Sequence, residues 1–349
     1  MGKVFSGLLL SGALLLGVLL GLYAAGPALG AGPVREVRVT ARPLPLAPND
    51  RAAGRIGRLR FLGALALRSD DRRFGGISGM LFDAACNRLL AVSDSGSWIV
   101  LEPVEEGGRL VDLRRGWIAP ILNPEGRPPV SKAAADAEEV AADANGDLFV
   151  SYEQQHRLER FHGLSACDPE TLALPPVGRH VLAETAGWPA NGGAEAVGGD
   201  DDALLLLSEA LPVGDGRRQG LRWQPARSGK PAEPAVPFSW PVPDQHQPTA
   251  LDLFTDDGGR RHLLVLHRRA SLLGGFSAVI TEAVLGANGL PGESRPVARL
   301  GPPLTVDNME ALAVRAEGGR LFVYLASDDN FNRLQQTLLL KFELLPESG

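Results

Sequence analysis

Five segments of this chain repeat one pattern, and that repeat constrains the fold more than any other feature. They are Phe74–Gly96 (FGGISGMLFDAACNRLLAVSDSG), Asp136–Gln155 (DAEEVAADANGDLFVSYEQQ), Gly192–Ala210 (GGAEAVGGDDDALLLLSEA), Pro248–Arg269 (PTALDLFTDDGGRRHLLVLHRR) and Asn308–Asn330 (NMEALAVRAEGGRLFVYLASDDN). Each reads as a short strand, a polar turn, and a strongly apolar strand that ends in acidic or polar residues. Aligned, Ser78, Glu138, Glu195, Thr249 and Glu310 share one position, at separations of 60, 57, 54 and 61 residues.

The runs LLAVS, LFVSY, LLLLS, LLVLH and LFVYL have the apolar and β-branched character of buried central strands. Turn pairs such as Asn145-Gly146 and Gly258-Gly259 precede them, as in hairpins. The intervals of about 40 residues between hairpins hold two further strands, for example Trp98–Val104 and Leu110–Ile118. A repeat of this length with four strands is a propeller blade. Helical solenoids need long amphipathic segments, and none is present. The expected fold is therefore all-β: a β-propeller of five four-stranded blades, six at most if one is degenerate. Thr337–Leu344 (TLLLKFEL) is expected to close the ring against a strand near Leu59–Leu67.

The rest of the chain is read around this repeat. Lys3 is followed by no charge until Arg35, and Leu8 to Leu22 is almost entirely Leu, Gly, Ala and Val. Residues 1–32 thus read as a signal peptide, with Ala28 and Gly30 near a cleavage site, or as a membrane anchor through residues 4–25. Either places the remainder outside the cytoplasm, periplasmic or extracellular. Pro43, Pro45 and Pro48 make 33–57 a stiff linker, leaving 58–345 as the propeller domain, expected to be a monomer. Net charge is −6 with no long basic run, which argues against nucleic acid as a partner. Cys86 and Cys167 are the only cysteines; they either pair or stand as two separate buried thiols.

Hairpin geometry places the polar groups. The start of a first strand and the end of the second lie at one edge, so Glu138, Glu195 and Glu310 share a propeller face with Asp94, Glu153, Glu209, His267, Asp328 and Asp329. The turn acids Asp143, Asp147, Asp200–Asp202 and Asp256–Asp257 fall on the opposite face. Carboxylates crowded at one mouth repel, so protons or a cation must compensate. Oxygen ligands without a Cys or His cluster favour Ca²⁺ over Zn²⁺. Arg157, Arg160, Arg268 and Arg333 follow strand ends on the same face and are candidates to bind phosphate or carboxylate. Gly76-Ile77-Ser78-Gly79-Met80 lacks the last Gly of a nucleophile elbow. No P-loop, HExxH or Cys-x-x-Cys motif exists.

Ser327-Asp328-Asp329-Asn330-Phe331-Asn332, with Leu334-Gln335 and Leu338–Leu340, resembles the signature of the phytase-like, "esterase-like activity of phytase" family. Gly75–Gly79, Ser93–Gly96, Ser151–Gln154 and Asn308–Leu312 are similar to its other blocks, and the likeness runs from Phe74 to Leu344. The resemblance implies an exported propeller and phosphoester hydrolysis assisted by calcium. The leading expectation is a metal-assisted phosphoesterase acting on a small-molecule phosphoester. Its metal ligands come from Asp94, Glu138, Glu153, Glu195, Glu209, Glu310 and Asp328; Glu195, Glu310, Arg157, Arg268 and His267 are the catalytic candidates. The alternatives are a lactonase or esterase of the gluconolactonase type, and a non-enzymatic periplasmic binding or scaffold propeller with a structural cation.

Overall fold

Alternation along a strand sends neighbouring side chains to opposite faces, and the central strands of each repeat are apolar at both parities. A sheet of this kind must be covered on both sides. In the computed structural model this is achieved by setting five sheets around a channel, so that each covers its neighbours. The structure describes residues 33–347 except 51–52, 201–202, 215, 228–229 and 272–273. The turn acids Asp201 and Asp202 and the apolar N-terminal segment therefore lie outside the described residues.

The inner strands of blades 1 to 5 are Ile77–Asp83, Ala137–Ala142, Ala194–Asp200, Gln247–Thr255 and Met309–Glu317. Each pairs antiparallel with the second strand of its repeat, and the remaining strands follow outward. Thr337–Leu344 pairs with Leu59–Ser69, an N-terminal strand, so the two ends of the chain share blade 5 and close the ring. Sequence and structure agree on five blades and on this closure.

The core is divided among the seams. In blade 1, Leu90 and Val92 pack toward Val140 and Leu148 of blade 2, whereas Leu89 and Ala91 pack toward Ala311 and Phe322 of blade 5. Blade 2 meets blade 3 through Phe149 and Leu204, blade 3 meets blade 4 through Leu205 and Leu263, and blade 4 meets blade 5 through Leu264 and Val323. Each such Leu, Val or Phe contributes about 1.5–3 kcal/mol by leaving water. At the channel the inner strands almost touch: a Cβ on Gly199 would lie 1.7 Å from the Ala142 carbonyl oxygen. A side chain there would force blades 2 and 3 apart.

Two expectations are corrected or resolved. Residues 33–57 are not a spacer, because Arg35–Val37 pairs with the outer strand of blade 1 and Val39–Leu44 with the outer edge of blade 5. Arg55–Ile56 forms a further short strand. Pro43 fits because it sits in an edge strand, where a missing N–H costs no ladder bond. Cys86 and Cys167 form a disulfide, with Cα atoms 5.4 Å apart, tying the hairpin turn of blade 1 to a loop of blade 2.

Candidate functional site

Every blade carries a register shift at the same place. The pairing skips Ser78 in blade 1, Glu138 in blade 2, Glu195 in blade 3, Thr249 in blade 4 and Glu310 in blade 5. These are the five residues that share the repeat position. A β-bulge re-aims the side chain it frees, and here it does so once per blade at the channel mouth. The residue just beyond each second-strand pairing partner is Asp94, Glu153, Glu209, Arg268 or Asp328.

These side chains join into a ring of charge. Lys132 Nζ bridges Asp94 Oδ2 at 2.7 Å and Asp136 Oδ1 at 2.5 Å. Oxygens of Asp136, Glu138 and Glu153 lie within 4.8 Å of one another, as do those of Glu153, Glu195 and Glu209. Arg268 Nη2 donates to Glu209 Oε1 at 3.1 Å, and its Nε lies 3.0 Å from Glu310 Oε1 as an ion pair. Asp328 feels Asp94 and Glu310 and completes the circuit. Eight carboxylates (Asp94, Asp136, Glu138, Glu153, Glu195, Glu209, Glu310 and Asp328) thus face two cations, Lys132 and Arg268, an excess of six negative charges when all are ionised.

Burial and mutual repulsion act together on these acids. Glu138 is pushed well above the usual carboxylate range by burial, then by Asp136 and Glu153. Glu195 is pushed up by burial and by Glu138, Glu209 and Glu153. Asp328 rises through burial and Asp94. Glu310 is raised to about 7, chiefly by burial, against the pull of Arg268. Glu153 rises through burial, opposed by hydrogen bonds, although its Oε1 accepts the backbone N–H groups of Gly192 and Gly193. Such a site is poised to take up protons or cations.

All seven expected metal-binding residues stand at this mouth, and so does Arg268. Two expected catalytic residues do not. His267 is fully buried: Trp240 Nε1 donates to its Nε2 at 3.0 Å, and its Nδ1 lies 3.2 Å from the Val279 carbonyl oxygen. Burial lowers it to about 3, so it stays neutral. Its register is one residue earlier than the mouth series, matching Ser93, Ser208 and Ser327, which pair like it with the residue preceding the bulge. Arg157 lies on the third strand of blade 2, not in the ring. Its guanidinium packs 3.6 Å from the Tyr152 ring centroid and donates to Glu159, Gln155 O and Ala134 O, which occupies it structurally. Arg160 is likewise elsewhere, 3.8 Å from Asp147 on the opposite face.

The ring also contains two residues that the repeat does not flag: Asp136, two places before Glu138 where the other repeats carry Gly76, Gly193, Gln247 and Asn308, and Lys132, which lies outside the repeat. Sequence reasoning also missed Glu139, 1% exposed, whose Oε1 accepts the N–H groups of Met80 (3.0 Å) and Val140 (2.9 Å) and so satisfies backbone donors between blades 1 and 2. Two consecutive acids, Glu138-Glu139, were the available signal: the bulge sends one to the mouth and the other into the channel wall.

A family model described as "Phytase-like: Esterase-like activity of phytase" matches residues 72–331. No curated protein matches in sequence. Among solved structures, an inactive virginiamycin B lyase from Staphylococcus aureus with quinupristin is 12% identical, covering 84% of this chain and 82% of that one at a TM-score of 0.37. A glucose dehydrogenase is 14% identical, with coverage of 88% and 99% and a TM-score of 0.38. A luciferin-regenerating enzyme is 11% identical, with coverage of 77% and 92% and a TM-score of 0.33. Neither identities nor scores support transfer of an activity.

Proposed function

The chain belongs to the phytase-like family described as esterase-like activity of phytase, and from that premise we propose that it is an exported, metal-assisted phosphoesterase acting at the acidic mouth. The observation that carries this reading is the pair of all-oxygen triads, Asp136/Glu138/Glu153 and Glu153/Glu195/Glu209, which share Glu153. Their donors suit a hard cation such as Ca²⁺: every ligand atom is a carboxylate oxygen, and neither triad contains His or Cys. The raised carboxylates supply the driving force, since a bound cation relieves the repulsion that otherwise demands protonation. When bound, such an ion polarises a phosphoryl oxygen and acidifies water.

The chain's own residues fix the rest. Arg268, held between Glu209 and Glu310, places a permanent positive charge at the rim, where its planar donors suit an anionic oxygen. Asp329 Oδ1 accepts from the N–H groups of Gly76 and Phe331, both at 3.1 Å, and keeps the blade 5 loop against blade 1 beside the site. The Cys86–Cys167 disulfide supports an oxidising compartment. The test is metal analysis of the purified protein, coupled to a screen of phosphoesters, carboxylesters and lactones with and without chelator. Phosphoester cleavage that chelation abolishes supports the reading. Cleavage of lactones or carboxylesters alone replaces it with the lactonase class, and a tightly held cation with no turnover replaces it with a scaffold.

A further inference from the structure

Lys132 occupies the ring as a metal ion would. Its ammonium donates to Asp94 Oδ2 at 2.7 Å and to the Asp94 carbonyl oxygen at 2.9 Å, and it lies 2.5 Å from Asp136 Oδ1. Three oxygens therefore satisfy three N–H donors. The other oxygen of Asp136 accepts from Gln154 Nε2 at 2.5 Å, so no oxygen of Asp136 is without a partner. Yet Asp136 belongs to the triad with Glu138 and Glu153. A divalent cation there and an ammonium on the same carboxylate are like charges at contact distance.

The segment that carries Lys132 is lightly held. Between residues 122 and 133 only Pro129 is buried, and Val130 is 90% exposed. The turn in this stretch bonds mainly to itself: Asn123 Oδ1 accepts from Glu125 and Arg127, and Asn123 N–H donates to the Arg127 carbonyl. The helix Lys132–Ala135 has one turn, and its far end is held separately, where Arg157 Nη2 donates to the Ala134 carbonyl at 2.7 Å. Lys132 fastens the near end to Asp94 of blade 1, next to Pro129, which packs against Gly96.

We propose that Lys132 is a tethered counter-ion that blocks the Asp136/Glu138/Glu153 triad, and that a divalent cation entering the triad displaces it and releases residues 122–133 from the rim. The inference rests on the cation reading of the mouth and adds to it a self-inhibiting contact. Release also bares the Asp94 carboxylate, whose Oδ1 is buried without a hydrogen-bond partner among the described residues. Monovalent ions gain little by displacing an equal charge, so the latch selects for divalent ions.

Calorimetric titration of the full chain with Ca²⁺, and amide hydrogen exchange across residues 122–133, test this. Lys132→Met keeps the side chain's length without its charge and should bind Ca²⁺ at least tenfold more tightly than wild type; Lys132→Arg, which keeps the charge, should not. Ca²⁺ should speed exchange in wild-type residues 122–133, whereas Lys132→Met should exchange fast throughout. Tighter binding with unchanged exchange would mean that Lys132 only screens the ring, and it overturns displacement. Equal or weaker binding by Lys132→Met overturns the competition outright. Absence of Ca²⁺ binding in both proteins rejects the cation reading and this inference together, while binding by Lys132→Met alone upholds both.

Discussion

The two ends of the channel use the same residue types to opposite effect. At the end where the hairpins turn, each buried acid has its own partners. Glu343 is gripped by Arg60 and Arg320, and Glu105 by Arg315, Lys341 and the Tyr324 hydroxyl. His262 stands between Asp256 and Glu282, 3.1 and 2.7 Å away. At the mouth, eight acids share two cations. The contrast shows in ionisation: Arg320 and then Arg60 hold Glu343 at about 2, whereas burial takes Glu310 to about 7. Burial alone would raise Glu105, but hydrogen bonds from Lys341, Tyr324 and Arg315 bring it below its usual range. Paired charges hold blades together at one end, and the other end keeps an excess of negative charge.

The largest test of this contrast is at the mouth. Glu195→Gln and Glu310→Gln should each lower phosphoesterase turnover by about 10³-fold, equivalent to about 4 kcal/mol, with the fold intact by circular dichroism. Near-normal turnover in both would remove the mouth from catalysis. The turn end should answer in stability instead. Lys341, fully buried, donates to Glu105 Oε2 at 2.6 Å and to Gly108 O at 2.9 Å across the seam between blades 5 and 1. Lys341→Met strands part of that cluster and should cost about 3 kcal/mol in denaturant unfolding, with turnover per folded molecule unchanged. A variant as stable as wild type would show that the cluster is not what fastens the seam.

Acidity separates the ends further. Glu310 is raised from 4.5 to about 7, so its contribution is complete below pH 4.5 and is lost as pH climbs through 7. The chelated protein should therefore weaken between pH 5 and pH 8, by at most about 3 kcal/mol from this residue, and Ca²⁺ should restore it. Glu343 has the opposite sign: its contribution is present above pH 4.5 and is lost as pH falls toward 2. Chelated protein that grows more stable from pH 5 to 8 would refute the account of the mouth. The smallest effect belongs to Asp257, exposed on the turn end. Asp257→Asn should leave turnover unchanged and shift stability by less than about 0.5 kcal/mol. An effect on turnover would mean that the two ends communicate.

Much of this was legible in the sequence. Five hairpins, their turns, the closing pair Thr337–Leu344 with Leu59–Ser69, and seven mouth carboxylates all follow from a repeat whose spacing survives divergence. What escaped is a matter of parity and of contacts between repeats. His267 and Arg268 are adjacent, and one step of register decides which of them meets Trp240 and which meets Glu310. The bulge that sets this step has no residue signature of its own. Lys132 lies in a connection outside the repeat, and its role depends on Asp94, 38 residues away. The strands within 33–57 were hidden by their prolines, which suit an edge as well as a spacer.

The N-terminal stretch has a mechanical consequence. Arg35–Val37 lies on blade 1 and Val39–Leu44 on blade 5, so one short stretch clasps both sides of the seam between blades 5 and 1, next to the closing pair. Any pull applied at the N-terminus must first peel three residues from blade 1, and only then does load reach the strand that borders the closure. The first contacts to yield are therefore peripheral ones, and Leu46, 1% exposed and fixed through its carbonyl to Thr305 N–H at 2.7 Å, forms a second stop behind them. A propeller tugged by its leading end would give way in stages, with the ring itself the last to open.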